Sequence, residues 1–150
     1  MSINNMTAIA VTGLLALTAA ATMAQDAFAP PSTPEEAVDM RQALMREDGG
    51  IMRTLNGLAG AEVVAAVETV RTNYDHIPAL FPENSIVGDS EALPAIWENW
   101  DAFTAIVETG KAAATEAIAA AEAGDAAAYT VALRTLGGTC GQCHQQFRED

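Results

Sequence analysis

Five consecutive residues near the C-terminus carry the chemistry this chain can do. Its only two cysteines stand in Cys140-Gly141-Gln142-Cys143-His144. The C-x-x-C-H spacing reads as the attachment site of a c-type haem. Both thiols add to the two vinyl groups of one haem, and the adjacent imidazole reaches the iron from one face. On a helix Cys140 lies three positions before Cys143 and four before His144, so all three share a face. Two other chemistries use such cysteines. A thioredoxin-like dithiol needs a βαβ context, and no alternating strand pattern is found here. A zinc site needs four ligands, and only Cys140, Cys143, His144 and His76 are on offer. Haem is the reading retained.

The motif has to be held by helices. Tyr129, Leu133, Leu136, Cys140, Cys143 and Phe147 follow one another at spacings of three and four, so the cysteines continue a hydrophobic stripe. A haem attached there lies inside the fold rather than on its surface. Asp125 is the natural cap of this last helix, which is expected to run to the C-terminus. Upstream, Thr33-Pro34-Glu35-Glu36 is a helix start: Thr33 caps, Pro34 suits the first turn, and Glu36 closes a capping box. The first helix then extends to about Leu58, with Val38, Arg41, Leu44, Met45, Ile51, Met52 and Leu55 at helical spacing. Gly49-Gly50 inside it implies either the close approach of something bulky or a kink. A second helix spans about Ala61 to Tyr74. Residues 75–92, with Pro78, Pro82 and Gly88, form one long connection. A third helix begins near Pro94, turns Ile96, Trp97, Trp100, Phe103 and Val107 inward, and continues through alanine-rich 112–123 to Gly124. The expected fold class is all-α, an antiparallel four-helix bundle with a covalently bound haem c.

Composition agrees and narrows the function. One domain fits the length, and abundant alanine with few β-branched residues favours helix. Twenty acidic against seven basic side chains give a net charge of −13. That excludes nucleic acid and an anionic membrane surface as partners and suits a basic protein partner. Residues 1–24 contain no charged side chain, and Thr22-Met23-Ala24 is a small-x-small cleavage site. They are expected to be a signal peptide, with Gln25 the first mature residue, although Met1 to Thr7 lack the usual basic n-region. The apolar run is short for a membrane span, so no insertion is expected after cleavage. Residues 25–33 form an extended lead-in, because consecutive prolines forbid helix. Residues 34–150 form the bundle.

Beside the haem motif stand Phe147-Arg148, Arg41-Gln42-Ala43-Leu44-Met45 with Gly49-Gly50 and Met52, Leu80-Phe81-Pro82, Leu93-Pro94-Ala95-Ile96-Trp97 and Gly137-Gly138. With these motifs the chain resembles the class II c-type cytochromes, the family that includes cytochrome c′, over nearly all of residues 34–150. The resemblance implies one haem c held by Cys140 and Cys143, with His144 as proximal iron ligand. It implies that Arg41 approaches a haem propionate, that Arg148 lies close to the proximal histidine, that Trp97 lies near the haem, and that Met45 lies over the distal face. If the Met45 thioether coordinates, the haem is six-coordinate and suits electron transfer. If Met45 only packs there, the iron is five-coordinate and takes up NO or CO. The family is periplasmic in Gram-negative bacteria and often forms homodimers through its first two helices.

The remaining residues are given blander roles. His76 is expected to face solvent. Met40 and Met52 belong to the core, with Met52 the one competitor to Met45. Glu35, Glu36, Asp39, Glu47 and Asp48 read as a solvated face. No other set of side chains suggests acid–base or nucleophilic catalysis, so an electron carrier is expected rather than an enzyme.

Overall fold

The computed structural model describes residues 28–149; the proposed signal peptide and its cleavage site lie outside them. Helix α1 spans Pro34–Thr54 and α2 Ala61–His76. A short helix α3 (Ala95–Glu98) precedes α4 (Trp100–Ala123) and α5 (Ala126–Phe147). The four long helices form the expected bundle. Among the described residues the extended pairing is limited to one antiparallel bridge, between Ala92 and Arg148.

The ends of the helices follow local chemistry. Thr33 Oγ1 accepts from the Glu36 N–H at 3.1 Å. The Glu36 carboxylate, however, takes the Ser32 N–H at 2.6 Å instead of closing the box on Thr33. At the other end α1 tightens into a 3₁₀ turn over Leu55–Gly57. Helix α1 runs unbroken through Gly49-Gly50; Gly49 borders the space between α1 and α5, and of the other side chains only Arg53 comes near the pair. Asp125 caps α5 as expected, its Oδ1 accepting from Ala127 and Ala128. That helix stops at Phe147, where Arg148 turns into the bridge.

Two expectations are corrected. The helix starting near Pro94 is broken at Asn99, whose backbone (φ −131°, ψ 46°) leaves the helical region. The break rotates Trp100 outward, and it is exposed rather than inward-facing. The connection after α2 begins later than expected, since α2 continues to His76 and a 3₁₀ turn covers Ile77–Leu80.

Alanine decides how closely the helices meet. Ala113, Ala114, Ala117 and Ala120 of α4 are buried, and α4 makes the most extensive contacts in the bundle, with α5 and with α2. Gly110 of α4 goes further: a Cβ there would stand 1.9 Å from Cε1 of Tyr74. The tyrosine ring therefore lies where a side chain of α4 would be, which only glycine permits. Helices α1 and α5 behave differently. They barely touch, and the space between them is where the chemistry lies.

Candidate functional site: a two-lobed slot between α1 and α5

Met45 of α1 and Cys143 and His144 of α5 line two adjoining cavities, of about 450 and 260 Å³. The larger lobe is polar at its rim, where Arg41, Arg46 and Arg148 gather with Gln42, Ser90 and the carboxylates of Asp89 and Glu91, and aromatic at its floor, where Phe81, Phe103 and Phe147 meet edge to face. The smaller lobe is apolar. Met52, Ile77, Ile106 and Val107 line it, with Cys140, Tyr74 and one carboxylate, Asp48. Leaving that largely apolar lobe to water would forgo the burial of its hydrocarbon lining. Its wall is built to be filled by hydrocarbon.

The attachment residues lie as their spacing requires. Cys140, Cys143 and His144 are half-buried on one face of α5, beside the buried Leu136 and Phe147. Burial, reinforced by Cys140, pushes the Cys143 thiol up to about 11. It is thus a protonated thiol at neutral pH and a poor thiolate ligand or redox nucleophile. Burial and the neighbouring Arg148 hold His144 below the ordinary histidine range, against an opposing pull from Glu91. A neutral imidazole with a free lone pair is the form that binds a metal. Among the described residues no group of three or more His, Cys, Asp or Glu is arranged to hold a bare metal ion. His76 is no fourth ligand; nor does it simply face solvent, because its ring stacks on Phe28 at 3.9 Å.

Arg41 is buried at 5% exposure, and its donors are largely spent. Nη1 donates to Leu80 O at 3.3 Å and Ser85 Oγ at 3.0 Å. Nη2 donates to Ser85 O at 2.7 Å and to Ser90 Oγ. Its guanidinium also lies 4.9 Å from the centre of the Phe81 ring. All four acceptors are neutral and come from residues 80–90, so Arg41 ties that connection over the polar lobe. Burial lowers its pKa, but guanidinium stays charged. Arg148 at the rim is only loosely paired, 3.7 Å from Glu91. Trp97 is half-buried, its Nε1 donating to Phe81 O at 3.1 Å.

Three features of the site were missed by the sequence reading. Asp48 is 8% exposed, not solvated, and Asn73 Nδ2 donates to its Oδ1 at 2.7 Å. Burial, aided by Glu47 and opposed by Asn73, pushes its carboxyl up to about 6. Its position was a usable signal, since Asp48 follows Arg41, Leu44 and Met45 by seven, four and three residues on the inward stripe. Ser85 and Ser90 as partners of Arg41, and Tyr74 with Gly110, had no such signal, because each pairing joins distant parts of the chain. The Tyr74 hydroxyl lies 2.8 Å from Thr139 Oγ1 and 3.6 Å from Cys140 Sγ. Burial, with Cys140 nearby, drives its pKa upward, so it stays a neutral donor.

A slot with two thiols and an imidazole on one wall, mostly apolar at the cysteine end and carrying three arginines among its polar groups at the other, matches the polarity of a haem. Comparison with known proteins agrees. The sequence profile described as cytochrome c′ matches residues 36–148. The chain belongs to the cytochrome c′ family.

This cytochrome is 39% identical over 118 residues to a cytochrome c-556 of Agrobacterium tumefaciens, covering 74% of this chain and 95% of that protein. It is 29% identical over 145 residues to the cytochrome c′ of Rhodospirillum rubrum, covering 91% and 98%. Its fold matches a nitric oxide complex of a cytochrome c′ variant from Alcaligenes xylosoxidans with a TM-score of 0.69, at 27% identity, covering 79% of this chain and 98% of that one. As a monohaem c-type cytochrome it binds haem c covalently, and Cys140 and Cys143 are the only cysteines available for the two thioethers. The residues that line the slot fit that group.

Proposed function

We propose that this cytochrome is an exported electron carrier, with His144 as the axial iron ligand and Met45 supplying the sixth. One observation carries the reading: Met45 is the only residue of α1 that lines both lobes, as Cys143 and His144 do from α5. Met52 lines the apolar lobe alone. Haem, when bound, supplies the one-electron chemistry. The chain does the rest. Cys140 and Cys143 fix the apolar edge, where Ile77, Ile106 and Val107 exclude water. His144, kept neutral by burial, offers its lone pair. Arg41, through the N–H its loop contacts leave free, and Arg148 on the rim hold the propionates at the polar end.

The chain is similar to proteins named cytochrome c-556 and cytochrome c′ alike, and the second name supports a different role. In it Met45 only packs, the iron is five-coordinate, and the protein binds NO or CO; the similarity to a nitric oxide complex favours it. A visible spectrum separates the two. Sharp reduced α and β bands unchanged by CO, turning high-spin in Met45→Ala, support ligation. A broad high-spin spectrum that shifts with CO makes the protein a gas binder.

The same proposal covers where and with whom the protein works. Residues 1–24 direct it to the periplasm, and the mass of the mature chain tests cleavage before Gln25. The exposed acids Glu35, Asp39 and Glu47 on α1 suit a basic redox partner, so the electron-transfer rate should fall as salt rises. Association of two copies through α1 and α2 follows the family resemblance. Among the described residues no helix is long and apolar enough to cross a membrane.

A further inference from the structure

Asp48 is a buried charge that binding the haem does not use. It lies outside the attachment motif, yet its side chain lines the apolar lobe together with Cys140 and Cys143. The groups that face it are few. From α1 comes Glu47, of like charge; from α2 the Asn73 amide, shared between Asp48 at 2.7 Å and Glu47 Oε2 at 3.0 Å, and the neutral Tyr74 hydroxyl. From α5 come the two cysteines and the neutral His144, and from α4 only Ile106 and Val107. Among the described residues Asp48 has no cation partner.

An uncompensated carboxylate in an apolar wall is poorly screened, so it responds to any nearby change of charge. The one such change in this slot is the gain or loss of an electron by the haem. A negative carboxylate stabilises the more positive, oxidised iron. A neutral carboxyl does not.

We propose, resting on the haem reading above, that Asp48 sets the reduction potential of this cytochrome and couples electron uptake to proton uptake. The bookkeeping of charge is simple. One electron arrives from the redox partner and reduces the iron from ferric to ferrous, and part of a proton arrives from solvent at the Asp48 carboxylate, at most about half per electron when the two redox states differ tenfold in proton affinity. Reoxidation releases both. The proton offsets part of the charge the electron adds, which lowers the cost of altering charge in an apolar cavity.

The test is the midpoint potential of the holoprotein and of its Asp48→Asn variant across pH. At about pH 8.5, where a carboxylate is ionised, Asp48→Asn should favour reduction by roughly tenfold, or about 59 mV for one electron. At about pH 4 the wild-type side chain, its pKa raised by burial, is neutral too, and the two potentials should coincide. A merely structural role for Asp48 would instead shift the potential equally at both pH values, and that result overturns the proposal. So does a wild-type potential that stays flat across the range, a measurement that needs no variant. Infrared difference spectra give a second readout: reduction of the wild type should raise a protonated-carboxyl C=O band that Asp48→Asn lacks. Failure to find covalent haem would overturn the underlying reading and this proposal with it. A high-spin, CO-sensitive haem would overturn Met45 ligation alone, and the potential test would still decide the role of Asp48.

Discussion

Helix α5 has two seams, and they are built in opposite ways. Toward α4 the chain offers alanines, and the helices close directly on each other. Toward α1 it offers cysteines, a histidine, methionines and Gly49 and Gly137, and the helices stand apart around the slot. The first seam is stable because small side chains let backbones approach and leave no void. The second is stable only when something else fills it. The difference explains how an ordinary bundle can bury a large prosthetic group: the fold is complete on one side and deliberately incomplete on the other.

Removing the attachment should have the largest effect on the open seam. Replacing Cys140 and Cys143 together with alanine should let the slot collapse or fill with water, loosening α1 while the α4–α5 seam holds. Hydrogen exchange should then show protection lost in α1 and kept in α4. Uniform loss across the bundle would mean that the two seams are not separable.

A smaller effect tests the electrostatics of the open seam. The Asp48 carboxyl is raised to about 6 in the fold from 3.8, so the folded state binds this proton more tightly than the unfolded chain. That contribution is therefore fully present below the unfolded value and is lost as pH rises through about 6. Asp48→Asn should match the wild type at about pH 3.5 and be more stable by up to about 3 kcal/mol at about pH 7.5. Denaturant midpoints of the oxidised holoprotein, in which the carboxylate is ionised at neutral pH, check it.

Next in size is Gly110→Ala, where the new Cβ runs into the Tyr74 ring. Chemical denaturation should give a loss of about 1–3 kcal/mol, and the haem spectrum should change little if Thr139 alone still orients the Cys140 side. The smallest effect should come from Asp125→Ala, which strips the cap of α5 far from the slot. Thermal unfolding should give a loss of about 1 kcal/mol with no change in the reduction potential.

Much of the site could be read from spacing. The haem motif, its place on the stripe that includes Leu136 and Phe147, and the caps at Thr33 and Asp125 all depend on residues within about four positions of each other, where helical geometry is fixed in advance. Arg41 and Met45 fell on one face of α1 for the same reason. Asp48 obeys the same rule, yet a carboxylate beside Glu47 reads as solvent-facing, and only the packed fold encloses it. The break at Asn99 was not legible. A 3.6-residue pattern continues through it, and only packing decides that Trp100 swings outward.

By itself the sequence determined that the chain is helical, that it carries one haem and that its cysteines face inward, because these follow from composition and from contacts within a single turn. Tertiary structure alone decided that α1 and α5 stand apart, that Arg41 spends its donors on Ser85 and Ser90 of a connection more than forty residues away, and that Asp48 is enclosed without a cation. Each of these depends on which distant segments share a space. The energy of a buried charge or an open cavity is set by everything around it, and not by its neighbours in the chain.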